Sequence, residues 1–94
     1  MSVEPKVKYI FEALENAEIT FSDYSRLTSI TRQTLYNWQA GNPVSDRLRL
    51  DFAYNMAMRI TKAHQMGKLP LTDKLKTVQR IAVLRKIIAD MARK

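Results

Sequence analysis

The sequence predicts an all-α fold, a compact bundle of about five helices forming a single domain over residues 1–94. Two observations lead there. Apolar residues recur at spacings of three and four along most of the chain. Only two glycines and three prolines stand among abundant Ala, Leu, Ile, Met, Lys and Arg, too few turn signals for an all-β chain of this size. Ninety-four residues are enough to bury about two thirds of the surface an unfolded chain exposes, so one modest core is expected.

Val7, Ile10, Phe11 and Leu14 fall at i, i+3, i+4 and i+7 behind Pro5, a residue suited to a first helical turn, and predict a helix over roughly 5–16. Thr20 followed by Asp23 resembles a capping box, opening a short helix with Phe21, Tyr24 and Leu27 as its apolar face and ending near Thr28. Ser29-Ile30-Thr31 breaks the pattern, and Thr31 can cap a third helix whose apolar face is Leu35 and Trp38. Gly41 suits the left-handed position after that helix, and Asn42-Pro43 prevents its continuation. A fourth helix is expected from Ser45 to about Gln65, with Leu48, Phe52, Met56 and Ile60 every four residues and Ala53, Ala57 and Ala63 beside them. Gly67 and Pro70 mark a turn, after which Thr72 is expected to cap a last helix.

The chain has no cysteine, which removes disulfides, thiolate catalysis and cysteine-ligated metal centres. Its longest uninterrupted apolar run is Ile81 to Leu84, far short of a membrane span or a signal-peptide core, so a soluble cytoplasmic protein is expected. With one histidine, scattered carboxylates and no glycine-rich phosphate loop, no constellation able to run a reaction is legible, and neither a cofactor, a metal nor a small-molecule ligand is implied. His64 falls in the last turn of the fourth helix, where it favours the terminal carbonyls. The net charge of +7 points to a polyanion or an acidic partner. It is unevenly spread: residues 1–43 hold four Lys/Arg against five Asp/Glu, residues 44–94 twelve against four.

"YSRLTSITRQTLYNWQAGNP", Tyr24 to Pro43, resembles the helix-turn-helix of bacterial and phage repressors, including those of the Cro and Tet-repressor types. The resembling features are the small Ser25, the hydrophobic Ile30 after the turn, the polar cap Thr31, and "RQTLYNW" with Leu35 and Trp38 inward. Ser29 departs from the pattern by standing where glycine is usual, and a serine adopts positive φ there only at some cost. The resemblance covers about 20 residues, or 45 with the flanking helices, and does not reach residues 67–94. It implies a sequence-specific regulator of transcription that binds double-stranded DNA.

In that reading the third helix enters the major groove, which is about 12 Å wide and admits one helix. Arg32, Gln33 and Asn37 are the candidate base readers, because arginine pairs with guanine and the two amides with adenine in bidentate geometry. Thr31, Thr34 and Tyr36 carry hydroxyls for phosphate oxygens, and the helix starts at Thr20 and Thr31 offer free N–H groups to the same anions. Arg26, Arg47 and Arg49 complete the candidate backbone contacts. The plainer reading of the stretch is an ordinary solvated helix. Against it, "RQTLYN" has no i,i+4 ion pair and uses residues of middling helix propensity. Trp38, Tyr24 and Phe21 read as core rather than as stacking platforms, and the arginines read equally as surface charges balanced by Asp46 and Asp51.

The last helix carries Leu75, Val78, Ile81, Leu84, Ile88 and Met91 together with Ala82 and Ile87, a band wider than one packing face. A homodimer is therefore expected, joined by residues 67–94 and by those six side chains in particular, and reading a palindromic operator. The other open class is a small basic helical protein that binds RNA or blocks a protein partner.

Overall fold

Pro5 starts helix α1 (Pro5–Asn16), which buries Val7, Ile10, Ala13 and Leu14 on one side. Four further helices follow in the computed structural model, which describes residues 4–92: α2 (Phe21–Thr28), α3 (Arg32–Gln39), α4 (Arg47–Gln65) and α5 (Thr77–Met91). The fold is all-α, as the periodicity predicts, with no strand among the described residues. None of the described helices is long and apolar enough to cross a membrane.

α4, at 19 residues, is the central element. α1 and α5 pack on it, while α2 and α3 lie together at the side and touch α1, α4 and α5. One core results, in which Ile10, Tyr24, Leu35, Leu50, Ile60 and Leu84 are fully buried. Its radius of gyration, 12.9 Å, is close to the value of roughly 12 Å for a packed chain of this length.

Three helices end in the same way, with the N–H of the third residue past the helix reaching back five positions. These bonds are Ile19 N–H to Leu14 O, Asn42 N–H to Asn37 O and Lys68 N–H to Ala63 O. The left-handed residue in each is Glu18, Gly41 or Gly67. Gly41 and Gly67 take it without a Cβ penalty; Glu18 is a position no local signal marks.

The structure corrects three expectations. α4 begins at Arg47 rather than Ser45, because Asp46 is its cap: the carboxylate accepts the Arg49 N–H at 3.0 Å. The buried face of α4 is Leu50, Ala53, Met56, Ala57, Ile60 and Ala63, while Leu48 is 83% exposed and Phe52 48%. A strict four-residue spacing advances about 40° per step, so from Leu48 to Ile60 it turns roughly 120° around the helix and leaves the core. Finally, α5 starts at Thr77, with the Gln79 side chain accepting the Lys76 N–H at 3.3 Å. Residues 71–76 are irregular, and Thr72 caps nothing; Leu69 is buried and Leu71 packs against the core from this segment.

Candidate nucleic-acid interface

α2 is set by a complete capping box: the Thr20 hydroxyl accepts the Asp23 N–H at 3.1 Å and the Asp23 carboxylate accepts the Thr20 N–H at 3.3 Å. Its inner face is anchored by Tyr24, whose phenol donates to the Ala53 carbonyl in the middle of α4. Burial pushes that phenol well above the usual tyrosine range, so it stays a donor. At the other end, the Thr28 hydroxyl donates to Tyr24 O at 2.7 Å and accepts the Ile30 N–H at 3.2 Å. Ser29 then takes the left-handed conformation (φ +62°), and buried Ile30 ties the turn to the core. The backbone here has the conformation for which glycine is usual, adopted by serine.

Thr31 caps α3 as the sequence predicts, accepting the Thr34 N–H at 3.2 Å, and the two hydroxyls lie 2.9 Å apart. Leu35 and Trp38 are buried, which turns Arg32, Gln33, Tyr36 and Asn37 outward. Gln33 donates to the Asn37 side chain at 3.1 Å, which couples the two exposed amides and leaves them further donors and acceptors. The Tyr36 ring leans on Phe21 at 4.9 Å, and Phe21 on Phe11 at 5.2 Å, joining α3 to α2 and α1. Phe21 is half-buried in this stack rather than fully in the core.

α3 stands between shallow hollows. On the α2 side, Ser25, Thr31, Arg32, Gln33 and Tyr36 line one, and Ser22, Ser25, Arg26 and Arg32 the next; Arg32 donates to the Ser22 hydroxyl at 3.3 Å. On the other side, Thr34 and Asn37 share a hollow with Asn42, Ser45 and Arg49. The three candidate base readers, together with Thr31, Thr34, Tyr36, Arg26 and Arg49, thus form one continuous surface.

Two candidate backbone contacts are not part of it. Arg47 turns away to α1 and holds Glu4 in a two-bond fork at 2.8 and 2.9 Å, which neutralises its guanidinium. Thr20 lies at the far end of α2, where the Asp23 carboxylate already answers the helix dipole. The α5 residues are also redistributed. Ile81, Leu84, Ile88 and Met91 are buried in the chain's own core, Leu75 is half-buried, and Val78 alone of the six expected at a dimer contact stands in solvent. The width of the band reflects packing on α4 and α2 together.

Sequence reasoning missed what holds α2 in place. Arg80 on α5 donates to the buried Asp23 carboxylate at 2.8 Å and to the Glu18 carbonyl at 2.8 Å, and Arg85 donates to the Arg26 carbonyl at 3.0 Å. The partners lie 57 to 62 residues apart, beyond any local pattern. Comparison with protein-family models, with curated proteins and with solved structures finds no match to this chain.

Proposed function

We propose that this chain is a sequence-specific double-stranded DNA-binding regulator of transcription, of the bacterial or phage repressor type that residues 24–43 resemble, acting in the cytoplasm. One observation carries the reading: α3 buries Leu35 and Trp38 and offers Arg32, Gln33 and Asn37, the side chains that pair with base edges, on one exposed face. Hydroxyls of Thr31, Thr34 and Tyr36 and the guanidiniums of Arg26 and Arg49 flank that face, where phosphate oxygens would lie. In this reading α3 enters the major groove and α2 crosses the backbone.

A two-fold dimer on a palindromic operator belongs to the same proposal. Its contact uses the N-terminal half of α4, where Leu48 and Phe52 are exposed and the neighbouring charges are paired, Arg47 with Glu4 and Asp51 with Lys6. A neutral apolar patch tolerates its own copy.

Selection from a random duplex pool tests both parts. The expected product is a palindrome with half-site centres about 10 to 10.5 base pairs apart, bound at least about 10³-fold more tightly than random duplex. An enriched asymmetric site holding one copy removes the dimer and leaves the reading helix. No enrichment overturns the regulator.

A further inference from the structure

α2 and α5 meet along a groove of which the DNA reading uses only Arg26. Ile81 forms its buried floor, Val78 and Ala82 stand along it in solvent beside Thr77, and Arg26 and Arg85 flank it; its volume is about 390 Å³. Val78 is 82% exposed on a helix whose Ile81, Leu84, Ile88 and Met91 are buried. Ala82 and Ala89, one and three turns further along α5, leave the same surface low. Neither Arg26 nor Arg85 has a carboxylate partner among the described residues; Arg85 donates only to the Arg26 peptide oxygen, which leaves its charge intact.

We infer that this groove docks an acidic amphipathic helix of a partner protein, whose apolar side chains cover Val78 and Ala82 and whose carboxylates pair with Arg26 and Arg85. A concave strip with an apolar floor matches the apolar stripe of a helix, whereas a phosphate backbone has no use for an exposed valine. A second copy of this chain is disfavoured on the same ground of charge, since it would bring two unpaired guanidinium sets together. The α4 patch around Leu48 and Phe52, with its charges already paired, has no such asymmetry.

The position of Arg26 gives docking a consequence. The same side chain lines the hollow shared with Ser22 and Arg32 on the α3 side, so a carboxylate seated on it withdraws a cation from the candidate DNA face and places negative charge beside it. Docking and DNA binding then compete. This consequence rests on the regulator reading; the docking itself does not.

The test is an amide chemical-shift titration of the full chain with a helical peptide about 16 residues long, near the shortest length that holds a helix in water. The peptide carries leucines at i and i+4 flanked by glutamates, and its control replaces each glutamate by lysine. Saturable shifts confined to Arg26 and residues 77–85, from the glutamate peptide alone, are expected. Val78→Glu should weaken that binding at least about tenfold by setting a charge in the apolar strip. The fold should survive, since glutamate is favoured in the first turn of a helix.

Equal binding of the lysine peptide, shifts centred on α3, or no shift at millimolar peptide overturns the proposal. Shifts that follow the chain's own concentration without peptide assign the groove to a second copy and overturn it too. A final arm adds the glutamate peptide to a complex with the selected duplex: release of DNA supports the competition, while undisturbed DNA binding by a peptide-loaded chain overturns the competition and leaves the docking site standing.

Discussion

Arg32 on α3 and Arg80 on α5 are the same side chain put to opposite uses. Arg32 is exposed, touches only the Ser22 hydroxyl and keeps its guanidinium free for an outside partner. Arg80 is turned inward, three quarters covered, onto a carboxylate that is itself buried and that already closes the capping box of α2. Basic residues are concentrated after Pro43, yet two of the arginines there, Arg80 and Arg85, bind α2 to the rest of the bundle. Net charge therefore locates the scaffold as much as the surface: where an arginine finds a buried carboxylate in its own chain, its charge becomes structure, whereas a carbonyl partner fixes the side chain and leaves the charge available.

The sharpest way to break that comparison is to remove each arginine. Arg80→Ala strands the Asp23 carboxylate in a buried position without its cation and is expected to cost about 2 to 4 kcal/mol, below the full value for a wholly buried pair because Arg80 is partly exposed. For a domain of this size that lowers the melting temperature by about 10 to 20 °C. Arg32→Ala should stay within about 0.5 kcal/mol of wild-type stability. It should instead cost about 1 to 3 kcal/mol in binding to the selected duplex, as should Gln33→Ala, with random duplex barely affected. Thermal unfolding followed by circular dichroism and a competition binding assay give both numbers. Equal melting temperatures for the two alanine variants would erase the distinction.

The same contrast marks what could be read from the sequence. The bounds of α1, α2 and α3 follow from chemistry within four residues of each end: Pro5, the Thr20–Asp23 box, the Thr31 cap, and Gly41 before Asn42-Pro43. The polar face of α3 is legible for the same reason, since burying Leu35 and Trp38 determines which side faces out. The starts of α4 and α5 were less accessible. Asp46 and Ser45 are both good caps in adjacent positions, and the choice between them depends on how α4 seats Leu50 against the core. The apolar band of α5 is wide because two neighbours, α4 and α2, cover it, and sequence alone could not distinguish a second helix of the same chain from a second subunit. The fates of Arg47 and Arg80 depended on Glu4 and Asp23, 43 and 57 residues away.

Arg47 and Arg49 offer a finer version of the comparison on one helix turn. Arg49 lies beside Thr34 and Asn37, held only by a single 3.4 Å approach to Asp46, whereas Arg47 forks Glu4. The log–log dependence of DNA affinity on salt should become shallower by about 0.9 in Arg49→Ala, the loss of one neutralised phosphate. In Arg47→Ala it should change by less than half as much. Equal changes would place both side chains on DNA and remove the significance of the Glu4 fork.

The smallest effect is expected from the exposed pairs that join α1 to α4. The Arg47 guanidinium, through its hydrogen bonds, holds the Glu4 carboxyl below its ordinary value of 4.5, and the Lys6 ammonium does the same to Asp51 below 3.8. A carboxyl with a lowered folded pKa adds stability above the ordinary value and loses it as pH falls through that value toward the folded one. Both pairs lie in solvent, with all four side chains at least about a third exposed, so their contribution is small and screened. Comparing wild type with a Glu4→Gln/Asp51→Asn double variant isolates it from the other carboxylates. At neutral pH and low salt the wild type should melt slightly higher. The gap should close as the solution is acidified through and below the ordinary carboxylate values, and also in about 1 M salt, where the screening length falls to about 3 Å. The outer charges then behave as screened surface pairs, whereas the Asp23–Arg80 pair should hold its stabilisation in the same salt because water and ions reach it poorly. A gap that survives molar salt would mean that the α1–α4 pairs are shielded from solvent as the Asp23–Arg80 pair is, and the division between scaffold and surface charges would have to be redrawn there.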